Sequence, residues 1–385
     1  MKKHITSEAK ECKLTKTTLR EIQKLAASQS ELTIGVDIGD RFSRYCVLDT
    51  EGKVVTEDKL ATTKTAFEAL FKALPKMRVA LEVGTHSPWI SRQLSSLGHE
   101  VIVANPRRLK LISESKRKND RIDAEKLARL ARVDPQLLSP IHHREEETQQ
   151  DLALIRSRAQ LVKMRTEAIN MARGLTKSLG YRLADCDADN VGTSLADVLP
   201  AAARQGVDLQ LELASHLTAK IKEADKQIHS MAERYPEIKL LTVIYGVGEL
   251  TALAFVLTIE DKERFNKSRE VGAYLGIVPG QDQSGASNPQ QRITKEGDRM
   301  MRWMLVQCAH CILRSGAPES DLRLWGQKKM HEQQTGKGKP NQKKVLIGVA
   351  RKLAVLMHRL WVNGEAYDPL YNAKKQAALR KKPAA

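Results

Sequence analysis

The stretch Ile34-Gly35-Val36-Asp37-Ile38-Gly39-Asp40, continued by Arg41-Phe42-Ser43-Arg44-Tyr45-Cys46-Val47-Leu48-Asp49, sets the reading of the whole chain. Two apolar runs joined by a glycine-containing turn, the second ending in Asp49-Thr50-Glu51-Gly52, read as a β-hairpin with Asp37 at the centre of its first strand. An acid inside an apolar run is seldom buried without a partner. Ala80-Leu81-Glu82-Val83-Gly84 places Glu82 at the end of another short apolar run. Lys118-Asn119-Asp120-Arg121-Ile122-Asp123-Ala124 places Asp120 and Asp123 three apart, on one helical face. Four carboxylates from separate elements suit two divalent cations about 4 Å apart, the arrangement that grips a phosphodiester.

Outward from Asp37 the chain alternates. Strands around Asp37, Val47 and Lys53–Thr56 precede a helix through Thr65–Phe71, a strand at Arg78–Val83, a helix at Ser87–Leu97 and a strand at His99–Ala104. Such alternation predicts a mixed α/β sheet over 33–143. Residues 1–32 read as a polar arm. Between Arg144 and Leu179 apolar residues recur at 152, 155, 161, 164, 168, 171 and 175, and a second amphipathic run spans Leu209–Arg234. Together these predict a two-helix coiled-coil arm over 144–235. Beyond it, 236–365 reads as a small all-α domain, with helices at Val271–Val278, Arg299–Leu313 and Leu346–Trp361. Residues 366–385 read as a basic tail, without regular structure after Tyr371. Leu240 to Ala252, with Gly246-Val247-Gly248 at its middle, spells a helix-hairpin-helix whose turn offers N–H groups to a phosphate.

The 385 residues carry 64 Lys+Arg against 46 Asp+Glu, a net charge of +18, which favours a polyanionic partner over a neutral metabolite. Ten of those cations lie in residues 105–133, among them Arg107, Arg108, Lys110, Lys116, Arg117, Lys118 and Arg121, a cationic rim about the paired aspartates. A second basic run holds Lys337, Lys339, Lys343 and Lys344. Five scattered cysteines predict a reducing cytosol rather than a disulfide framework, and no apolar run approaches a membrane span. Cys308-Ala309-His310-Cys311 lacks a second cysteine pair at zinc-finger spacing and reads as core packing, and His142-His143 reads as loop.

The opening hairpin resembles a ribonuclease H-like sheet. The three acidic motifs together resemble the DEDD tetrad of the bridge-RNA-guided insertion-sequence transposases. The run Gly246-Val247-Gly248, Ala273-Tyr274-Leu275-Gly276-Ile277-Val278-Pro279, Ser284-Gly285 and Ile293-Thr294-Lys295-Glu296-Gly297-Asp298 resembles that family's second domain, in the family's order. The resemblance implies a RuvC-like domain, a coiled coil and a helical domain with a serine nucleophile. It implies Asp37, Glu82, Asp120 and Asp123 as ligands of magnesium, two ions per site, and Ser284 as the nucleophile, with Arg292, Lys295 and Arg299 nearby. It further implies donor and target DNA and a structured guide (bridge) RNA as partners, self-association to a dimer or tetramer, no membrane, and a bacterial-type cytoplasmic, nucleoid-associated location. The sequence departs from the family's pattern where Gln283 precedes Ser284 and Ala286 to Gln291 follow Gly285, which leaves Ser287 as a second candidate. A Holliday-junction-resolvase-like nuclease would use the same carboxylates with water and leave Ser284 idle. An actin-like sugar kinase shares the Gly-Val-Asp-Ile-Gly loop but has no use for the paired aspartates, and a non-catalytic scaffold would tolerate loss of all four acids.

Overall fold

The computed structural model describes residues 20, 22–24, 32–105, 120–283, 285, 287, 289, 291–335 and 341–380, and the side chains of these except at 120, 121, 333–335 and 376–380. The chain divides into two compact units at Glu146/Glu147.

In the first unit, among the described residues, five strands form one mixed sheet: β1 (Thr33–Asp37), β2 (Phe42–Leu48), β3 (Val54–Ala61), β4 (Arg78–Glu82) and β5 (Glu100–Ala104). Their spatial order is β3-β2-β1-β4-β5. β1 pairs antiparallel with β2 and parallel with β4, and β4 pairs parallel with β5. This order, with helices returning the chain, is consistent with a ribonuclease H-like domain. β3 runs five residues past the expected Thr56 because it lies at the sheet edge, where Glu57, Asp58 and Lys59 can pair with β2 through the backbone and point to water. Helix α1 (Lys64–Ala73), started by Thr63 whose hydroxyl accepts from the Ala66 N–H, and α2 (Ser87–Ser96) link the later strands.

The side chains obey a period of two. Ile34, Val36, Val79, Leu81 and Val103 join Phe67, Phe71, Ile90 and Leu94 in one core. Gly35, Ala80, Ile102 and Ala104 point to the opposite face, where helix α3 (Asp120–Val133) lies with Ala124, Leu127, Ala128 and Ala131 inward. A Cβ on Gly35 would stand 2.0 Å from the Ala124 carbonyl oxygen and 2.5 Å from the Ala128 nitrogen, so only glycine lets the helix sit this close.

In the second unit α4 (Glu146–Ser178) and α5 (Ala201–Ala232) run antiparallel, since Arg158 pairs with Asp225 at 2.8 Å while Arg165 reaches back to Thr218 at 3.2 Å. At the end where residues 179–200 join them, Ala168, Ile169 and Ala172 pack with Val191, Leu199, Val207 and Leu211. At the other end Asp151 accepts two bonds from Arg234 (2.6 and 2.7 Å) and one from the Tyr235 hydroxyl (2.5 Å). Burial, and then that bond, push the Tyr235 phenol well above its ordinary range. α5 starts eight residues before the expected Leu209, because Ala201-Ala202-Ala203 behind Pro200 is strong helix-forming sequence.

The helical core beyond is built from α6 (Ile238–Thr242), α7 (Glu249–Ile259), α8 (Val271–Tyr274), α9 (Arg299–Leu313), α10 (Asp321–Thr335) and α11 (Gln342–Asn363). α7 is buried from Ala252 to Ile259, as an apolar helix must be. The helix expected over Val271–Val278 stops at Tyr274, because Gly276 turns left-handed (φ +67) to cross the backbone of Glu296. The tail is helical as α12 (Tyr371–Arg380), contrary to expectation; the Asp321 carboxylate accepts from the N–H groups of Asn372 (2.7 Å) and Ala373 (3.1 Å) and caps it. Among the described residues no helix is long and apolar enough to cross a membrane.

Candidate active site

Asp37 closes β1, at the strand's end rather than its centre, and Glu82 closes β4. The two strands are in register from Thr33↔Arg78 to Val36↔Leu81, so Asp37 and Glu82 are the next residues side by side. They lie two along from Gly35 and Ala80 and hence on the face that carries α3.

The tilt of α3 is fixed by three arginine bonds at its far end. Arg78 donates to the Ala131 carbonyl (3.2 Å), Arg129 to that of Gly52 (3.0 Å) and Arg132 to that of Thr50 (3.0 Å). These pin the helix C-terminus over the first residues of β1 and β4. Eight residues back along the helix, at ~1.5 Å each, cover about 12 Å, and the four steps from Arg78 to Glu82, at ~3.3 Å each, cover about 13 Å. The first turn of α3, with Asp120 and Asp123, is therefore level with Asp37 and Glu82. The partial positive charge of a helix N-terminus also favours carboxylates there. Asp123 is partly buried, and Lys126 lies 3.5 Å from its carboxylate.

Among the described residues no three His, Cys, Asp or Glu side chains are drawn together tightly enough to hold one ion. The Asp120 side chain lies outside the described residues. What the layer assembles is an acid pair on adjacent strands and a helix terminus above it, all with the hard oxygen donors that magnesium takes.

The turn that carries Glu82 is held by a cluster the sequence reading missed. The Ser87 hydroxyl, fully buried, bonds with the Gly84 N–H (3.0 Å) and Gly84 carbonyl (2.8 Å) and with Nε2 of His143 (2.8 Å). Burial, with Arg92 and Arg144 nearby, holds the His143 imidazole below its ordinary range and hence neutral. His143 is thus a packed partner rather than a bare loop residue. It comes within reach because Ile141 bridges to Val103 on β5, a pairing no spacing in the sequence announces.

In the second unit the expected nucleophile Ser284 lies outside the described residues. The loop around it leaves and returns at one place: the N–H of Gly280 donates to Arg292 (2.9 Å), that of Thr294 to Val278 (3.0 Å) and that of Lys295 to Gly276 (3.1 Å). Arg302 donates to the carbonyls of Leu275, Glu296 and Gly297 and locks the crossing beneath. Ser287, Arg292, Lys295 and Arg299 are exposed around this loop, Lys295 in a left-handed conformation (φ +57). Gly246 (φ +87) turns the chain between α6 and α7, against Cys308 and Cys311, and Gly248 precedes α7. Desolvation pushes the Cys308 thiol up to about 11, in keeping with core packing, whereas Cys311 is exposed. Of the basic residues, Arg107, Arg108, Lys110, Lys116, Arg117, Lys118, Lys337 and Lys339 and the Arg121 side chain lie outside the described residues. Lys343 and Lys344 are exposed in the first turn of α11.

Residues 34–179 match the transposase model of the DEDD, IS110 type, and residues 238–323 match the model described as transposase IS116/IS110/IS902 family. The first covers the sheet, α3 and α4; the second covers the α6–α7 turn, the pinned loop and α9. Similar proteins include a probable family 20 transposase of Pseudomonas aeruginosa, 28% identical over 75% of this chain and 86% of the relative. The transposase for insertion sequence element IS1111A of Coxiella burnetii is 27% identical over 87% of this chain and 90% of its own, and that for IS1328 of Yersinia enterocolitica 28% over 73% and 83%. With two models of one family matched in order over more than half its length, the chain belongs to the IS110/IS1111 family of insertion-sequence transposases, enzymes that cut and rejoin DNA.

Proposed function

We propose that the chain is an RNA-guided DNA recombinase of a mobile insertion sequence, which cuts and rejoins strands through a serine-linked phosphodiester beside a magnesium-binding acidic site. The observation that carries the metal reading is the alignment of Asp37 and Glu82 on adjacent strand ends beneath the first turn of α3. Asp37, Glu82, Asp120 and Asp123 would hold the metal, which when bound would supply positive charge to the reacting phosphate. Asp37 and Glu82 on adjacent strand ends and Asp123 on the arginine-pinned helix start from elements that are themselves held in place, which would limit the reorganisation that loading requires.

Ser284 falls in sequence between two segments that backbone bonds tie together, and the resemblance gives it the nucleophile's role. In the step it would perform, a bond forms between the serine oxygen and phosphorus, the bond from phosphorus to one deoxyribose oxygen breaks, and the hydroxyl proton ends on the released oxygen. The phosphodiester energy is kept in the protein–DNA bond, so rejoining needs no nucleotide hydrolysis. The basic surface, including Arg292, Lys295, Arg299, Lys343 and Lys344, would hold phosphate backbones of DNA and of a structured guide RNA, with affinity that falls steeply with salt. The antiparallel α4–α5 pair would serve as a coiled-coil element for self-association to a dimer or tetramer.

Two measurements test the reading. Magnesium should raise the melting temperature of the protein, and Asp37→Asn or Glu82→Gln should remove that rise, together with strand cleavage, while leaving DNA binding in place. A denaturing gel of labelled DNA incubated with protein, guide RNA and magnesium should show a protease-sensitive adduct, absent from Ser284→Ala and kept in Ser287→Ala. Free phosphate ends with no adduct in the unaltered protein would instead establish hydrolysis by water, the resolvase-like chemistry.

A further inference from the structure

Beyond Arg299, which borders the loop at Ser284, the outward face of α9 holds side chains that neither the acidic site nor that loop uses. Met301, Met304, Leu305, Cys308, Ala309 and Ile312 are buried against the helical core. Arg299, Trp303, Gln307, His310 and Arg314 are exposed, and at 100° per residue they fall within an arc of about 80°. Trp303 is 57% exposed, a large aromatic side chain left in water amid donors. At the far end the Arg314 guanidinium lies 6.0 Å from the ring of Tyr245, itself 36% exposed, on the turn that Gly246 fits against Cys308 and Cys311.

Along α9 itself the exposed charges have one sign, and Glu319 lies beyond the helix in a cleft that it lines with Tyr245. No Asp or Glu occurs between Asp298 and Glu319, and Asp298 is engaged by Arg156 at 2.9 Å and by the helix it caps. Arg302 belongs to the neighbouring face and is spent on three carbonyls, so it is not counted. Cations at both ends, hydrogen-bonding side chains between them and an aromatic plane open to solvent match a strand whose bases are unpaired: phosphates meet the arginines, and a base stacks on the indole. A paired base keeps its face inside the stack and could not reach Trp303. From Arg299 to Arg314 the helix spans about 22 Å, or about six nucleotides at the ~3.4 Å rise of a stacked strand.

We propose that the Arg299–Trp303–Gln307–His310–Arg314 face of α9, with Tyr245, binds single-stranded DNA, the form a cut strand must take when it is parted from its complement for transfer. The inference rests on the chain's being a transposase and not on the metal or serine chemistry.

The test uses the full chain and its tryptophan emission. A short oligothymidylate should quench the emission, since a stacked base quenches indole, and the quenching should be absent from Trp303→Phe, which keeps Trp89, Trp325 and Trp361. Trp303→Ala should weaken oligothymidylate binding about tenfold or more with an unchanged melting temperature, and Arg314→Ala should lower the dependence of affinity on salt. Undiminished quenching in Trp303→Phe together with undiminished affinity in Trp303→Ala would overturn the proposal. Equal quenching by a blunt duplex would exclude an unpaired strand, and quenching by oligouridylate alone would assign the face to RNA. A lower sedimentation coefficient of DNA-free Trp303→Ala would show an interface between copies of the chain, and the proposal would fail.

Discussion

One face of the sheet sets Ile34, Val36, Val79 and Leu81 against Phe67, Phe71, Ile90 and Leu94; the other sets Gly35, Ala80 and Ala104 against Ala124, Ala128 and Ala131. The large side chains of the first face bury much apolar area and hold helices at side-chain distance. The small residues of the second give up that area and let the backbone of α3 approach the backbone of β1. The two faces therefore do different work. The first supplies stability, and the second sets the height of Asp123 over Asp37 and Glu82.

Substitutions on the two faces should separate these roles. Phe71→Ala, at a fully buried ring stacked against Phe67, should cost about 3–5 kcal/mol in urea unfolding. A cost under about 1 kcal/mol would show that the aromatic face does not carry the stability assigned to it. Gly35→Ala adds one methyl against the backbone of two helical residues and should cost about 1–3 kcal/mol or more through displacement of α3. Its diagnostic effect is on function: the folded fraction should bind DNA and fail to cleave it. Gly84→Ala, where an added Cβ meets nothing within 4 Å, is the matched control and should leave both properties intact. Cleavage at the unaltered rate by Gly35→Ala would break the link between helix height and the acidic site.

The bonds that pin α3 give a finer probe. Arg78→Ala removes the bond to Ala131 and the ion pair with Glu100 (3.0 Å), whose carboxylate is more than half exposed. A loss of about 1–2 kcal/mol is expected, most of it from the carbonyl bond, since exposed pairs contribute little. If the bond also sets the tilt of the helix, cleavage should fall by more than the folded fraction does, which a rate measured per folded molecule will reveal.

The sheet was legible in the sequence because its signal is local. Short apolar runs at Ile34–Asp37, Tyr45–Leu48 and Arg78–Glu82 read directly as strands, and the runs that end in acids mark Asp37 and Glu82 as exceptions that need partners. Arg299–Leu313 was read with its observed bounds for the same reason, since its Asp298 cap and helical period lie within one window. What escaped is nonlocal. Arg78 and Ala131, Ser87 and His143, and Asp321 and Asn372 are each more than 50 residues apart, and each pair decides something: the tilt of α3, the anchoring of the Glu82 turn, the start of α12. Gly35 reads in sequence as turn or strand punctuation, and its role as a contact surface for a helix emerges only when α3 is laid on it. Trp303 reads as one more apolar residue of a buried helix, and its exposure depends on which of α9's faces the core takes. The role given to Ser284 came from the family resemblance alone, because a loop serine has no local pattern that distinguishes a nucleophile from a solvated hydroxyl.

The smallest expected effect concerns the edge of the second face, where His143 anchors the Glu82 turn through Ser87. Its imidazole faces the Ser87 hydroxyl and the charges of Arg92 and Arg144, and Arg92 is held there by its bond to the Arg144 carbonyl (2.7 Å). Burial and these two cations lower its proton affinity from the ordinary value of 6.5. The folded chain then binds fewer protons here than the unfolded chain, so the contribution is fully present above about pH 6.5 and is lost as the pH falls below it. His99 and His358, also lowered by burial, act in the same direction. His229, raised by Glu249, has the opposite sign, but its ring is largely exposed. The urea midpoint should therefore fall between about pH 7.5 and about pH 5.5. In His143→Gln, whose amide can still bond Ser87 but has no proton to take up, that fall should be smaller, with the midpoint at the higher pH little changed. An equal fall in the two proteins would mean that His143 is as accessible to protons in the folded chain as in the unfolded one, and that the Ser87 contact does not hold the turn.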